Sequence, residues 1–106
     1  MYSSLLQNYG IVYAAAVALP FRQLEHIVKG FANHRRLEIL DLLQRTPELS
    51  VEEISEKLSI GYMNASDHIR KLAIAGLVLK RSDGVSVRHK VTQRAINILV
   101  FCKRLE

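Results

Sequence analysis

Residues 58–91 read LSIGYMNASDHIRKLAIAGLVLKRSDGVSVRHKV. A short helix ends near Leu58, and Gly61 permits the sharp turn that follows. The spacing then predicts a helix over 62–75, with Ala65, Ile69, Leu72 and Gly76 on one side and Asn64, Asp67, Arg70 and Lys71 on the other. Gly76 suits the position just past a helix end, with Leu77 packing back. Two extended runs, 77–82 and 85–91, flank Asp83-Gly84, a pair favoured in two-residue type I′ hairpins because both positions need positive φ. Alternation would place Leu77, Leu79, Val85 and Val87 on related faces. The order helix, turn, helix, hairpin describes a winged helix-turn-helix. The expected fold is mainly α with a small β-hairpin, in the order α-α-α-α-α-β-β-α.

Working outward, Ser50 and Glu53 form a capping box that opens the short helix. Before it, HRRLEILDLLQRT places Leu37, Ile39, Leu40, Leu42 and Leu43 around more than one face, the pattern of a central helix. Asn33 is its expected N-cap, and Thr46-Pro47 its stop. Residues 21–32 carry Leu24, Ile27, Val28 and Phe31 on one stripe behind Pro20. Residues 1–20 are expected to form a first helix, with Leu5, Tyr9, Val12, Ala16 and Leu19 at helical spacing, although Gly10 weakens it. Thr92 caps a last helix striped by Ala95, Ile98, Leu99, Cys102 and Leu105 and widened by Ile96, Val100 and Phe101.

These terminal helices carry more apolar surface than one small domain covers. They are expected to build a two-fold dimer through Leu5, Tyr9, Val12, Ala16, Ile98, Leu99, Cys102 and Leu105. The 106 residues thus divide into a dimerisation helix (1–20), a winged core (21–91) and a second dimerisation helix (92–106) within one domain.

Charge narrows the function. Residues 1–65 hold six Lys/Arg against seven Asp/Glu, and residues 66–106 nine against three. The whole excess of the net +5 lies from the second helix of the motif onward, as a polyanion-binding face requires. The longest apolar run, 11–19, is about half of the roughly 18–20 residues that span a bilayer. No basic segment precedes it, so a cytoplasmic protein is expected. One cysteine excludes an intrachain disulfide, and His26, His34, His68 and His89 show no ligand spacing. No phosphate loop or nucleophile elbow appears, so neither an enzyme, a cofactor nor a metal is expected.

A recognition helix reads base edges in the major groove from its N-terminal half. Tyr62, Asn64, Asp67, His68, Arg70 and Lys71 are the candidates: Asn64 to bond adenine, Asp67 to accept from cytosine or to orient Arg70. Lys80, Arg81, Arg88 and Lys90 are the wing candidates, placed to meet phosphates. Lysines on edge strands also prevent aggregation, but four cations facing only Asp83 favour a DNA role. Arg35 and Arg36 could add phosphate contacts, and Arg36 could equally hold an internal carboxylate.

With Arg36-Leu37, Ile39-Leu40 and Leu42-Leu43 in one helix, and Ser66, His68, Ile69, Leu72 and Ala75-Gly76-Leu77-Val78 in the next, residues 27–91 resemble the ArsR-type winged-helix repressors. The resemblance implies a homodimer that binds a palindromic operator. Metal-sensing members carry a C-V-C segment where this chain has Ser50 and Glu52, and the last helix lacks the Asp/His pairs of zinc sensors. The expectation is therefore a sequence-specific double-stranded DNA-binding regulator, a dimeric repressor without the metal site, its effector unknown. The alternative is a winged-helix protein-interaction or RNA-contacting module without an operator.

Overall fold

In the computed structural model, which describes residues 18–106, five helices and one hairpin are arranged around a single core. The expected first helix, with Leu5, Tyr9, Val12 and Ala16, lies outside the described residues. Helix α1 (Phe21–Phe31) follows Pro20, whose carbonyl accepts from Leu24 N at 3.0 Å. Helix α2 (His34–Arg45) begins at Asn33, whose Oδ1 accepts from the amides of Arg35 (2.9 Å) and Arg36 (3.1 Å). Two otherwise unsatisfied donors are thereby met. Ile39, Leu40 and Leu43 of α2 are fully buried. This is the central helix that its wide apolar pattern predicts.

Helix α3 (Val51–Leu58) opens with the expected capping box: Ser50 N donates to Glu53 Oε1 at 3.0 Å and Glu53 N to Ser50 Oγ at 3.2 Å. The turn into helix α4 (Tyr62–Ile74) differs from expectation. Gly61 sits at φ −63°, and the left-handed residue is Ser59 at φ 54°. At the other end of α4, Gly76 N bonds Ala73 O (3.0 Å) and Leu77 N bonds Leu72 O (2.9 Å), with Gly76 at φ 75°. These are the two bonds of a Schellman closure, and they turn Leu77 fully into the core.

Strands β1 (Val78–Ser82) and β2 (Val87–Val91) are antiparallel, in register from Val78 opposite Val91 to Ser82 opposite Val87. The connection is therefore four residues, 83–86, rather than a two-residue type I′ turn. Asp83 has no positive φ; instead its Oδ1 accepts from Val85 N (3.1 Å) and Ser86 N (2.8 Å), and Gly84 alone in the loop is left-handed. An Asx side chain mimicking backbone explains how Asp-Gly serves this longer loop. The grouping of Leu77 with Leu79, Val85 and Val87 on related faces also differs, since Leu77 is buried. Val78, His89 and Val91 are buried, whereas Leu79, Val85 and Val87 are exposed, Val85 almost completely. A bridge between Leu49 and His89 adds a third short extended segment: His89 N bonds Leu49 O (3.0 Å) and Glu48 N bonds His89 O (2.9 Å).

Helix α5 (Gln93–Lys103) starts at Thr92, whose Oγ1 accepts from Ala95 N and donates to Gly76 O at 2.8 Å. One hydroxyl so ties the hairpin's exit to the end of α4. Ala95 and Leu99 complete the core. Elsewhere α1 crosses the end of α4 closely enough that a Cβ on Gly30 would lie 2.4 Å from Ala75 Cβ. No described helix is long and apolar enough to cross a membrane.

His89 is nearly inaccessible, and its Nδ1 lies 2.8 Å from the Leu49 carbonyl, to which it donates. Burial, more than the opposing bond to Leu49, pushes its pKa below the ordinary imidazole value. The folded state then binds fewer protons than the unfolded chain, so stability is complete above about pH 6.5 and is lost as pH falls from there through the lowered folded value. Urea unfolding at pH 7.5 and 5.5 should show a lower midpoint at the acid value. In His89→Phe the difference should shrink.

Candidate nucleic-acid interface

Burying Ala65, Ile69 and Leu72 turns the opposite face of α4 to solvent. The first turn presents Tyr62, Met63 and Asn64, with Met63 77% exposed. Gly61 offers no side chain to cap this end. The first-turn amides therefore keep the character of an anion site. Beside them a pocket of about 290 Å³ is lined by Arg35, Ser59, Ile60, Gly61, Asn64 and His68. Asn64 and His68, two of the six candidates on this helix, both line that pocket. Tyr62 lies apart, across a cleft from Val85, Ser86 and Val87 of the wing and from Val51 and Glu52 of α3.

Charges on this face are partly spent internally. Asp67 accepts from Arg70 at 2.7 Å and sits 3.2 Å from Lys71 Nζ. The bonds from Arg70 and then Lys71 hold its carboxyl below the usual range. Of the two roles expected of Asp67, the free protein shows the orienting one. Arg36, from α2, reaches under α4: its Nη1 lies 3.2 Å from His68 Nδ1. Of the two alternatives for Arg36, phosphate contact or an internal carboxylate, the described residues supply no carboxylate; the side-chain partner is an imidazole. Burial first, and then the Arg36 charge, push the His68 pKa down.

The wing arginines are likewise committed. Arg81 pairs with Glu48 at 2.8 Å, in the open. Arg88 donates from Nε to Asp83 (2.9 Å) and from Nη1 to Glu53 (2.8 Å), and Nη1 also reaches the Glu48 carbonyl at 3.3 Å. Asp83, bonded by Ser86 N, Arg88 and Val85 N, is held well below the usual carboxylate range, and Arg88 is raised in turn. Arg88 thus braces the loop against the capping box of α3. Lys80 and Lys90 are exposed and form no ion pair among the described residues. The carboxylates at 48 and 53 lie far from the hairpin in sequence, so no local signal marks them as partners of its arginines.

Away from this face, an apolar groove of about 510 Å³ runs between α1 and α5, lined chiefly by Leu19, Leu24, Val28, Phe31, Ile98 and Phe101. Ile98 and Cys102 are half-buried and Leu105 is exposed. Leu99, expected at a dimer interface, packs into the protomer's own core, and Phe101 stands 57% exposed beside the groove. Helix phase explains the exchange, since Leu99 lies four residues from buried Ala95. Among the described residues no three His, Cys, Asp or Glu side chains converge as a metal site would need.

The family profile described as "Bacterial regulatory protein, arsR family" matches residues 33–80. The transcriptional activator HlyU of Vibrio cholerae is 32% identical over 74 residues, 70% of this chain and 68% of the relative. A solved structure of HlyU from Vibrio cholerae superposes with a TM-score of 0.71 at 29% identity, over 84% of this chain and 97% of that one. The homodimeric winged helix-turn-helix domain of a possible ArsR-family transcriptional regulator from Mycobacterium bovis gives 0.73 at 28% identity, over 80% and 79%. NolR from Sinorhizobium fredii gives 0.73 at 25%, over 79% and 84%. The fold is a winged helix-turn-helix.

If Arg88 and Asp83 brace the wing, Asp83→Ala should free the amides of Val85 and Ser86 and loosen the loop. Hydrogen exchange should then accelerate at 83–88 and stay unchanged at Leu72 in α4. Equal acceleration at both would show global destabilisation instead.

Proposed function

The chain belongs to the ArsR family of bacterial regulatory proteins, and from that premise we propose that it is a dimeric, sequence-specific reader of double-stranded DNA. The observation that carries this reading is the open N-terminal half of α4, where Asn64 and His68 share a pocket with uncapped backbone amides. An asparagine there can bond adenine N6 and N7 together, while amides and cations hold phosphates in register. Tyr62, Asn64 and His68 are assigned to the groove. Arg70 and Lys71 lie within reach of exchanging Asp67 for phosphate, and Arg81 of exchanging Glu48. Lys80 and Lys90 supply the wing's uncommitted charge, whereas Arg88 acts chiefly as a brace.

Two copies are proposed to associate through the groove between α1 and α5 together with residues 1–17. The apolar lining of that groove supports this assignment, as does the homodimer named for the Mycobacterium bovis domain. The regulatory effect is proposed as repression by occupancy of the operator, which the resemblance to ArsR-type repressors supports, whereas the similar HlyU is named a transcriptional activator. Ser50 and Glu52, which stand where metal-sensing members carry cysteines, support a regulator without that metal site.

Fluorescence anisotropy on mixed-sequence duplex at two salt concentrations tests the reading. Each phosphate contact contributes about −0.9 to the slope of log affinity against log salt. Lys80→Ala and Lys90→Ala should each lessen that slope by about 1 and weaken all duplexes alike, whereas Asn64→Ala should relax discrimination at one base pair. Negligible affinity at low salt would overturn the proposal in favour of a protein- or RNA-contacting module. For the dimer, Phe101→Asp should shift sedimentation to the monomer while the circular dichroism spectrum is retained.

A further inference from the structure

Arg36 is nine-tenths buried, and its partners among the described residues include no carboxylate. Its Nη1 meets His68 Nδ1 at 3.2 Å and its Nη2 donates to the Lys29 carbonyl at 3.4 Å, while Nε–H has no partner among the described residues. A permanent cation buried without counter-charge is a costly arrangement, and one held by an imidazole has a chemical consequence. Guanidinium donates and cannot accept. His68 Nδ1 must therefore be the acceptor, and the ring's proton must sit on Nε2.

The groups acting on His68 are Arg36 and His34 from α2, and Asp67 and Lys71 from its own helix. Asp67, the anion among them, is already engaged by Arg70 and Lys71. Burial and the Arg36 charge favour the neutral ring. The same ring lines the pocket beside Asn64 on the open face of α4.

We propose that Arg36 is a positioning residue for DNA reading: through the Nη1–Nδ1 bond it holds His68 as a fixed Nε2–H donor, so that His68 engages only hydrogen-bond acceptors of the duplex. Those are phosphate oxygens or the major-groove acceptors N7 of guanine and adenine, O6 of guanine and O4 of thymine. A freely rotating imidazole would offer both a donor and an acceptor and would discriminate less. This role rests on the DNA-binding reading of α4, but half of its test does not.

Two-bond proton–nitrogen spectra of the full-length protein, with His68→Gln to assign the signal, should show the Nε2–H tautomer of His68 and a titration below the ordinary imidazole value. Arg36→Met should mix the tautomers and move that titration up. Arg36→Gln, which keeps an N–H donor for Nδ1, should restore the tautomer. Against duplex DNA, Arg36→Met should cost roughly tenfold in affinity in the parent and less than about twofold in the His68→Gln background, because the two act as a unit. Loss spread evenly over all duplexes would assign the acceptor to phosphate, and loss confined to one base pair would assign it to a base; either supports the proposal. An Nδ1–H tautomer, or the same loss in both backgrounds, overturns it. A parent protein with no duplex affinity overturns the reading of α4 and this role together, and the spectra then report separately whether the Arg36–His68 pair exists.

Discussion

Ile39, Leu40 and Leu43 leave nothing of their side chains to water, and the rest of the domain depends on that burial. A helix apolar on more than one face must be covered from several directions. Helices α3, α4 and α5 and strand β2 each lie against α2. In so small a domain no second core competes, so each covering element is placed by the same few side chains. The recognition helix takes its orientation from Ile69 and Leu72 packing in that core, and the wing takes its own from Val78, His89 and Val91. The outward polar face of α4 is thus a by-product of how its apolar face is seated.

Much of this was legible in the sequence because the signals are local. Asn33, the Ser50/Glu53 box, the Gly76 closure and Thr92 each act within five residues of themselves and stand where expected. Apolar periodicity found the core faces of α2 and α4 for the same reason. The misreadings fall where a distant partner decides. Strict alternation grouped Leu77, Leu79, Val85 and Val87 on related faces, but the bridge from Leu49 lies against the face of the hairpin that meets the core, and His89 fills it while Leu79, Val85 and Val87 are exposed. Gly61 looked like the strained turn residue, yet Ser59 takes the left-handed conformation.

The candidate site shows the same division. That α4 carries a polar face could be read from its spacing. What its charges do in the free protein could not. Arg81 and Arg88 find carboxylates 33 and 35 residues away, and Arg36 finds His68 across 32. Counting cations overstated the hairpin's available charge, because two of its four are held by Glu48, Glu53 and Asp83. Exposed pairs of this kind are individually weak, and weaker still as salt rises. Arg88 differs from Arg81 because it bonds two carboxylates and a carbonyl at once and is less exposed.

Gly30 gives the packing one further property. Where α1 meets the end of α4 there is no side-chain cushion, only a glycine against the methyl of Ala75. Cushioned helices absorb small displacements by changing rotamers, whereas backbone in contact with a methyl group has no rotamer to change. The crossing is therefore a stiff pivot. One arm of it is α1, which lines the apolar groove, and the other is the helix whose far end faces solvent with Asn64 and His68. A change of angle between the two helices has to be met there by a shift of backbone rather than of side chains.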